Sequence, residues 1–229
     1  MENTSLKHIA FIMDGNRRWA RSRGLPTLEG HRRGYNKLKE VADWCFARGI
    51  SEMTAFAFST ENWNRSKEEV DYLMNLLHFA LTKELGEFTK RGIKLRIIGR
   101  REGLPENVAG AIPEAEAATA ENKKGTLYIA INYGGRAEIV DAAKKAISSG
   151  MEMETMTEES LRKFLYAPEA SDPDLIIRTS GEQRTSGFLT YQGAYSELYF
   201  AQKHWPEFEQ SDLDEALAWY QNRERRFGK

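Results

Sequence analysis

The chain has 229 residues, with 33 Lys and Arg against 34 Asp and Glu and a formal net charge of −1. That balance excludes a general nucleic-acid binder, so no nucleic acid is expected among its partners; local arginine clusters are left to bind anions. One cysteine, Cys45, excludes an intrachain disulfide and points to a reducing, cytoplasmic setting. No run approaches the roughly 18 consecutive apolar residues of a membrane span, and the polar residues 1–7 are no signal peptide.

The first predicted element is a strand over 8–13. Ile9-Ala10-Phe11-Ile12-Met13 is uniformly apolar, as a strand buried on both faces is. Its character changes at once in Asp14-Gly15-Asn16-Arg17-Arg18-Trp19. A loop with Gly24, Pro26 and Gly30 leads to a helix over 34–48, whose Leu38, Val41, Ala42 and Cys45 keep helical spacing and which Gly49 ends. A second strand, 53–58, closes in Ser59-Thr60-Glu61-Asn62-Trp63-Asn64-Arg65. Ser66 with Glu69 reads as a capping box opening a long helix over 67–90. Apolar residues such as Leu73, Leu76, Leu77 and Ala80 cover more than one stripe of it. The helix is therefore either buried on two sides, or packs one face on the sheet and lines an apolar cavity with the other.

Strand 94–98 precedes a helix that has Pro105 near its start and runs to Asn122. Strand 126–131 ends in Asn132-Tyr133-Gly134-Gly135-Arg136, glycines that a tight turn explains as well as a phosphate loop does, and a helix follows to Ser149. A Met- and Glu-rich connection over 150–157 and a short helix over 158–165 come next. Strand 174–177 ends in Arg178-Thr179-Ser180-Gly181-Glu182-Gln183-Arg184, a sixth strand is expected near 197–200, and a last helix over 211–225. This alternation predicts an α/β fold: a single domain over 1–229, with a six-stranded, mostly parallel sheet flanked by helices and an apolar tunnel beside it. Right-handed crossovers put the strand carboxyl ends on one edge, where open α/β sheets bind ligands.

At that edge Arg17, Arg18, Arg65, Arg178 and Arg184 meet Asn16, Ser59, Asn62, Thr179 and Ser186, and the carboxylates Asp14, Glu182 and Glu197. Several guanidiniums around glycine-containing turns suit a multiply charged phosphate. A carboxylate beside phosphate oxygens suits Mg²⁺. Neither Gly-x-x-x-x-Gly-Lys-Ser/Thr nor Gly-x-Gly-x-x-Gly follows a strand, which disfavours a nucleotide site. A diphosphate–Mg²⁺ site at the mouth of an apolar cavity points to an isoprenoid diphosphate.

HIAFIMDGNRRWAR, AFSTENWNR and IIRTSGEQRTSGFL with AYSELYF resemble, in order and over essentially the whole chain, the signatures of the cis-prenyltransferases of the undecaprenyl diphosphate synthase type. The resemblance implies condensation of isopentenyl diphosphate with an allylic diphosphate such as farnesyl diphosphate, a requirement for Mg²⁺, a homodimer, and transient peripheral contact with a membrane when product leaves. It makes Asp14 the catalytic carboxylate and a metal ligand. Glu197 is then the second metal ligand, or else the partner of an arginine. Gly15, Asn16, Arg17, Arg18, Trp19 and His31 would serve the allylic diphosphate, and Asn62 with Ser59 the reacting carbons and proton removal. Thr60, Glu61, Trp63, Arg65 and Glu69 would shape that loop, and Arg178, Arg184, Thr185 and Ser186 would hold isopentenyl diphosphate. Arg226-Phe227-Gly228 would reach the partner subunit's site. Arg17 stands where many members have glycine, and Thr27 where many have a diphosphate-binding arginine. Small Ala57 and the length of the 67–90 helix suggest a medium-long tunnel, and the resemblance to the bacterial type implies a product of about C50–C55. The alternatives are a short-chain or irregular synthase and, in a different class, a non-catalytic scaffold subunit of a heteromeric synthase.

Overall fold

The computed structural model describes residues 6–223. Its strands are β1 (His8–Ile12), β2 (Glu52–Ser59), β3 (Ile93–Ile98), β4 (Gly125–Tyr133), β5 (Leu175–Arg178) and β6 (Glu197–Phe200). They form one six-stranded sheet in the order β3-β4-β2-β1-β5-β6. Every neighbouring pair is parallel, so the expected mostly parallel sheet is wholly parallel among the described residues. The helices are α1 (Asn16–Ser22), α2 (Thr27–Ala47), α3 (Lys67–Leu81), α4 (Leu85–Lys90), α5 (Glu106–Ala118), α6 (Gly135–Ser148), α7 (Glu158–Arg162) and α8 (Gln210–Gln221).

All five residues of β1 are buried, because the strand is central and covered on both faces. Ile9 and Phe11 join a large core with Leu38, Val41, Leu73 and Trp205. Ala10 and Ile12, pointing the other way, join a smaller one with Tyr128, Tyr133, Ile176 and Phe188. Phe11 lies against Trp205 and Phe208 at ring distances of 5.6 and 5.9 Å. Truncating such a ring costs about 3–5 kcal/mol.

Three segments differ from their sequence-based expectation. Residues 16–22, expected as loop, form α1, and α2 begins at Thr27, well before 34. Gly30, expected in the loop, and Gly34, expected at the helix start, both lie inside α2 and serve close packing. A Cβ on Gly30 would lie 2.1 Å from the Asn16 carbonyl oxygen, and one on Gly34 would lie 2.4 Å from Asn16 Oδ1. The 67–90 helix is two helices, interrupted at Thr82, where φ is −121° and ψ −73°. The Thr82 hydroxyl donates back to the His78 carbonyl at 2.7 Å, a local bond that competes with helix continuation. No helix among the described residues is long and apolar enough to cross a membrane. The Arg226-Phe227-Gly228 element lies outside the described residues.

Candidate active site

A cleft of about 440 Å³ opens at the carboxyl ends of β1, β2 and β5. Asp14 sits in its wall two residues beyond β1. Its carbonyl accepts from Thr179 Oγ1 at 2.7 Å and from the Trp205 amide at 3.0 Å, which fixes the backbone. Gly15 turns with φ +100°, and a Cβ there would meet His204 Nδ1 at 2.7 Å and Ser180 Oγ at 2.8 Å. Only glycine satisfies both demands.

The Asp14 carboxylate accepts from the Gly15 amide (2.7 Å) and Arg178 Nη2 (2.8 Å), with Arg18 Nη2 at 3.2 Å. Burial alone would raise its pKa. The hydrogen bond and charge of Arg178, with Arg18 and the Gly15 amide, outweigh burial and hold the carboxyl below its ordinary 3.8. Asp14 is therefore ionised throughout the neutral range.

Arg178 is buried and reaches three ways. Nη2 takes Asp14, while Nη1 donates to Ser186 Oγ at 2.8 Å and to the Arg184 carbonyl at 2.5 Å. Its Nε is buried with no acceptor. A buried charged donor without a partner is costly. Glu182 closes the rim, accepting from Arg18 at 3.0 Å and Arg184 at 2.5 Å.

A second group gathers on Glu69. Its carboxylate accepts from His31 Nε2 (3.0 Å), Arg65 Nη1 (2.8 Å) and Arg17 Nη1 (3.2 Å). Half of the expected capping box is present: the Glu69 amide donates to Ser66 Oγ at 3.4 Å. The carboxylate turns inward to tie α1 and α2 to α3. That also gives Arg17 its place, as the α1 end of this hub. Asn62 is held by its neighbour, the Ser59 amide donating to Asn62 Oδ1 at 3.1 Å.

The cleft thus brings together Asp14, Gly15, Asn16, Arg17, Arg18, His31, Ser59, Asn62, Arg65, Arg178, Arg184 and Ser186 of the expected residues. Trp19, Thr60, Glu61, Trp63 and Thr185 do not line it. Trp19 is buried and has Arg23 over its ring at 4.9 Å, a packing role. Glu197 stands apart from this group within the chain. It opens β6 opposite Leu175, which lies opposite Ile9, so within this chain it stands about 16 Å down the sheet from Asp14 at ordinary strand rise. Its carboxylate accepts from Arg223 Nε at 3.0 Å, the arginine-partner alternative.

Arg21 also lines the cleft, and Phe56, Ala57 and Leu73 form its apolar wall. The signal for Arg21 was its place four residues after Arg17, on the same face of a helix that the sequence did not announce. Behind the cleft, and sharing Met13, Asn16, His31, Ala57 and Leu73 with it, is an apolar recess of about 80 Å³ reaching Leu77 and Ala80. This recess stands where a tunnel was expected.

No group of three or more His, Cys, Asp or Glu among the described residues is placed to hold a metal. A single carboxylate, Asp14, with arginines beside it is a donor set that fits Mg²⁺ where the ion takes most of its ligands from phosphate oxygens and water.

A family profile described as putative undecaprenyl diphosphate synthase matches residues 12–228. The chain belongs to this family. As a member of the undecaprenyl diphosphate synthase family it is an enzyme of the isoprenyl transferase class. It is 51% identical over 225 residues to the isoprenyl transferase of Thermotoga maritima, covering 97% of this chain and 96% of that one. It is 47% identical over 232 residues to the tritrans,polycis-undecaprenyl-diphosphate synthase (geranylgeranyl-diphosphate specific) of Pyrococcus horikoshii, covering 97% and 87%. The crystal structure of lavandulyl diphosphate synthase from Lavandula x intermedia, in complex with dimethylallyl diphosphate, matches with a TM-score of 0.92 at 38% identity, covering 97% and 98%.

Proposed function

We propose that this family member is a Mg²⁺-dependent cis-prenyl elongating enzyme that condenses isopentenyl diphosphate with an allylic diphosphate. The observation that carries this reading is Arg178: buried, oriented by Asp14 and Ser186, with an acceptor-less Nε, in a cleft continuous with an apolar recess. Its guanidinium, with Arg184 and Ser186, binds the diphosphate of isopentenyl diphosphate. Arg18, Arg21 and Asn16 bind the allylic diphosphate across the same cleft.

In the reaction the allylic C1–O bond breaks and its electron pair leaves with the diphosphate. The π electrons of isopentenyl diphosphate form the new bond from C4 to C1, and a proton is lost from C2. The arginines stabilise charge growing on the leaving oxygens, and the shared cleft makes the encounter intramolecular. Asp14 would hold Mg²⁺ together with phosphate oxygens, and the ion would supply further neutralisation of that charge. Asp14, held acidic by Arg178, is a weak base, and Asn62 has no basic atom; the released diphosphate takes the proton.

For product length we propose about C50–C55, with the prenyl chain entering past small Ala57. The recess holds roughly half a dozen water-sized groups, so a long chain requires α2 and α3 to part. That small volume favours the second reading, a short-chain synthase. We also propose a homodimer, with Val140 and Ile147 of α6, 48% and 53% exposed and on one face, covered by a second copy. Incubation with farnesyl diphosphate, labelled isopentenyl diphosphate and Mg²⁺, followed by sizing of products, tests the reaction. A ladder of long products supports elongation, a dominant C15–C20 product the short-chain reading, and no condensation overturns both.

A further inference from the structure

Asn132-Tyr133-Gly134-Gly135 lines no part of the cleft. It nevertheless lies between the two loops that carry the cleft's side chains. One follows β2 and bears Asn62; the other follows β5 and bears Arg184 and Ser186. Strands β2 and β5 are separated by β1, so no ladder bond joins the two loops.

The β2/β4 ladder is irregular at this point. Phe56 opposes Ala130, Phe58 opposes Ile131, and Ser59 opposes Tyr133, which leaves Ala57 and Asn132 as extra residues. Such bulges re-aim side chains. Asn132 is buried and left-handed, with φ +49°. Its Oδ1 accepts from Trp63 Nε1 at 2.8 Å, and its Nδ2 donates to the Glu102 carbonyl at 2.9 Å. Trp63 is the residue after Asn62. A Cβ on Gly134 would lie 2.8 Å from Thr60 Oγ1, so the same loop rests on that glycine.

The other arm runs the opposite way. The Gly135 amide donates to the Gly187 carbonyl at 2.8 Å, and a Cβ on Gly135 would meet Thr190 Oγ1 at 2.3 Å. Glu138, 1% exposed in the first turn of α6, accepts from the Tyr133 hydroxyl, from Gln192 Nε2 at 3.1 Å and from the Tyr166 amide at 3.0 Å. These donors are neutral. One buried acidic side chain thus ties β4, the segment after α7 and the segment around Gln192 together.

We infer that Asn132 to Gly135, with Glu138, forms a positioning bracket that sets the Asn62 loop and the Arg184–Ser186 loop at a working distance across the cleft. None of these residues contacts substrate. Asn132 acts through Trp63 on the loop at the reacting carbons, and Glu138 acts through Gln192 and Tyr133 on the loop holding isopentenyl diphosphate. The inference rests on the elongation reading, because two loops must hold two substrates for their spacing to matter.

The test pairs Asn132→Gly, which keeps the left-handed backbone without the side chain, with Glu138→Gln. If Glu138→Gln does not fold, Gln192→Ala removes the same arm. With both substrates varied, Asn132→Gly lowers kcat about tenfold at an isopentenyl diphosphate KM within about twofold. Glu138→Gln raises that KM about fivefold or more at a kcat within about twofold. Asn132→Gly adds nothing further to Trp63→Phe. Equal loss of every parameter in both variants, or no change in either, overturns the bracket.

If the wild type does not turn over these substrates, the elongation reading fails by itself. The bracket is then read from amide hydrogen exchange. Asn132→Gly speeds exchange over 60–64 and not over 184–192, and Glu138→Gln over 184–192 and not over 60–64; a uniform change overturns it.

Discussion

Arg178 Nη2 donates to Asp14 Oδ2 at 2.8 Å while its Nη1 holds Ser186 and the Arg184 carbonyl. One planar fork thus joins the end of β1 to the loop after β5. Lysine's three N–H donors leave a single nitrogen and do not reproduce the planar fork that divides these acceptors between two nitrogens. Arg178→Lys raises the KM for isopentenyl diphosphate by at least about tenfold, or ~1.4 kcal/mol, measured by steady-state kinetics with farnesyl diphosphate saturating. An unchanged KM contradicts the assignment of Arg178 to that diphosphate.

Glu69 is the countercharge for Arg17, Arg65 and the buried face of His31. Glu69→Gln keeps the shape and removes the charge, leaving two guanidiniums to repel each other. The expected loss is about 1–3 kcal/mol of stability, read from denaturant midpoints. Arg17→Ala, at a half-exposed arm of the hub, costs less than about 1 kcal/mol.

The succession of strands and helices along the chain, the sheet edge where the strands end, and the convergence of Asp14, Arg178 and Asn62 were legible because they rest on local signals. An apolar run that changes to polar residues marks both a buried strand and its carboxyl end. What was not legible depends on tertiary contact. Gly30 reads as loop and Gly34 as a helix start until Asn16 is found packed against them. Glu69 looks like half of a capping box until His31 and Arg17 arrive from elsewhere in the fold. Glu197 follows the same polar pattern as the site residues, but it starts its strand rather than ending it. That places it at the wrong end of the sheet for Asp14 within one chain.

Stability should fall with acid through two histidines. Burial is the main cause that lowers the pKa of His31, aided by Arg65 and Arg17 and opposed by Glu69. Burial also dominates at His8, whose ring lies between Thr54 Oγ1 (2.7 Å) and the Ser171 carbonyl (2.6 Å). With folded values below the ordinary 6.5, the unfolded chain binds protons first as pH drops. Stability is full above about 6.5 and declines below it until the folded groups also protonate, by up to ~1.4 kcal/mol per pH unit per histidine. His31→Gln flattens the fall in midpoint between pH 7 and 5.5; an unaltered slope contradicts the His31 contribution.

The apolar face of α6 supplies a test of assembly. Ile147→Asp places a charge on a half-exposed position of that face. In light scattering after size exclusion the wild type runs as a dimer and the variant as a folded monomer. A monomeric wild type removes the dimer from the proposal.

Ala57 lines both the cleft and the recess. Ala57→Leu narrows the passage between them and shifts the product distribution to shorter chains, read by sizing labelled products. An unshifted distribution means the growing chain takes another path.

The most direct test measures labelled isopentenyl diphosphate incorporated by the purified chain with farnesyl diphosphate and Mg²⁺, for the wild type and for Asp14→Ala. The wild type forms polyprenyl diphosphate. The variant, folded by its denaturation midpoint, retains less than about a tenth of that turnover, a barrier increase above ~1.4 kcal/mol. A folded Asp14→Ala protein that turns over faster than this, or a wild type that forms no condensation product, contradicts a reaction centred on Asp14.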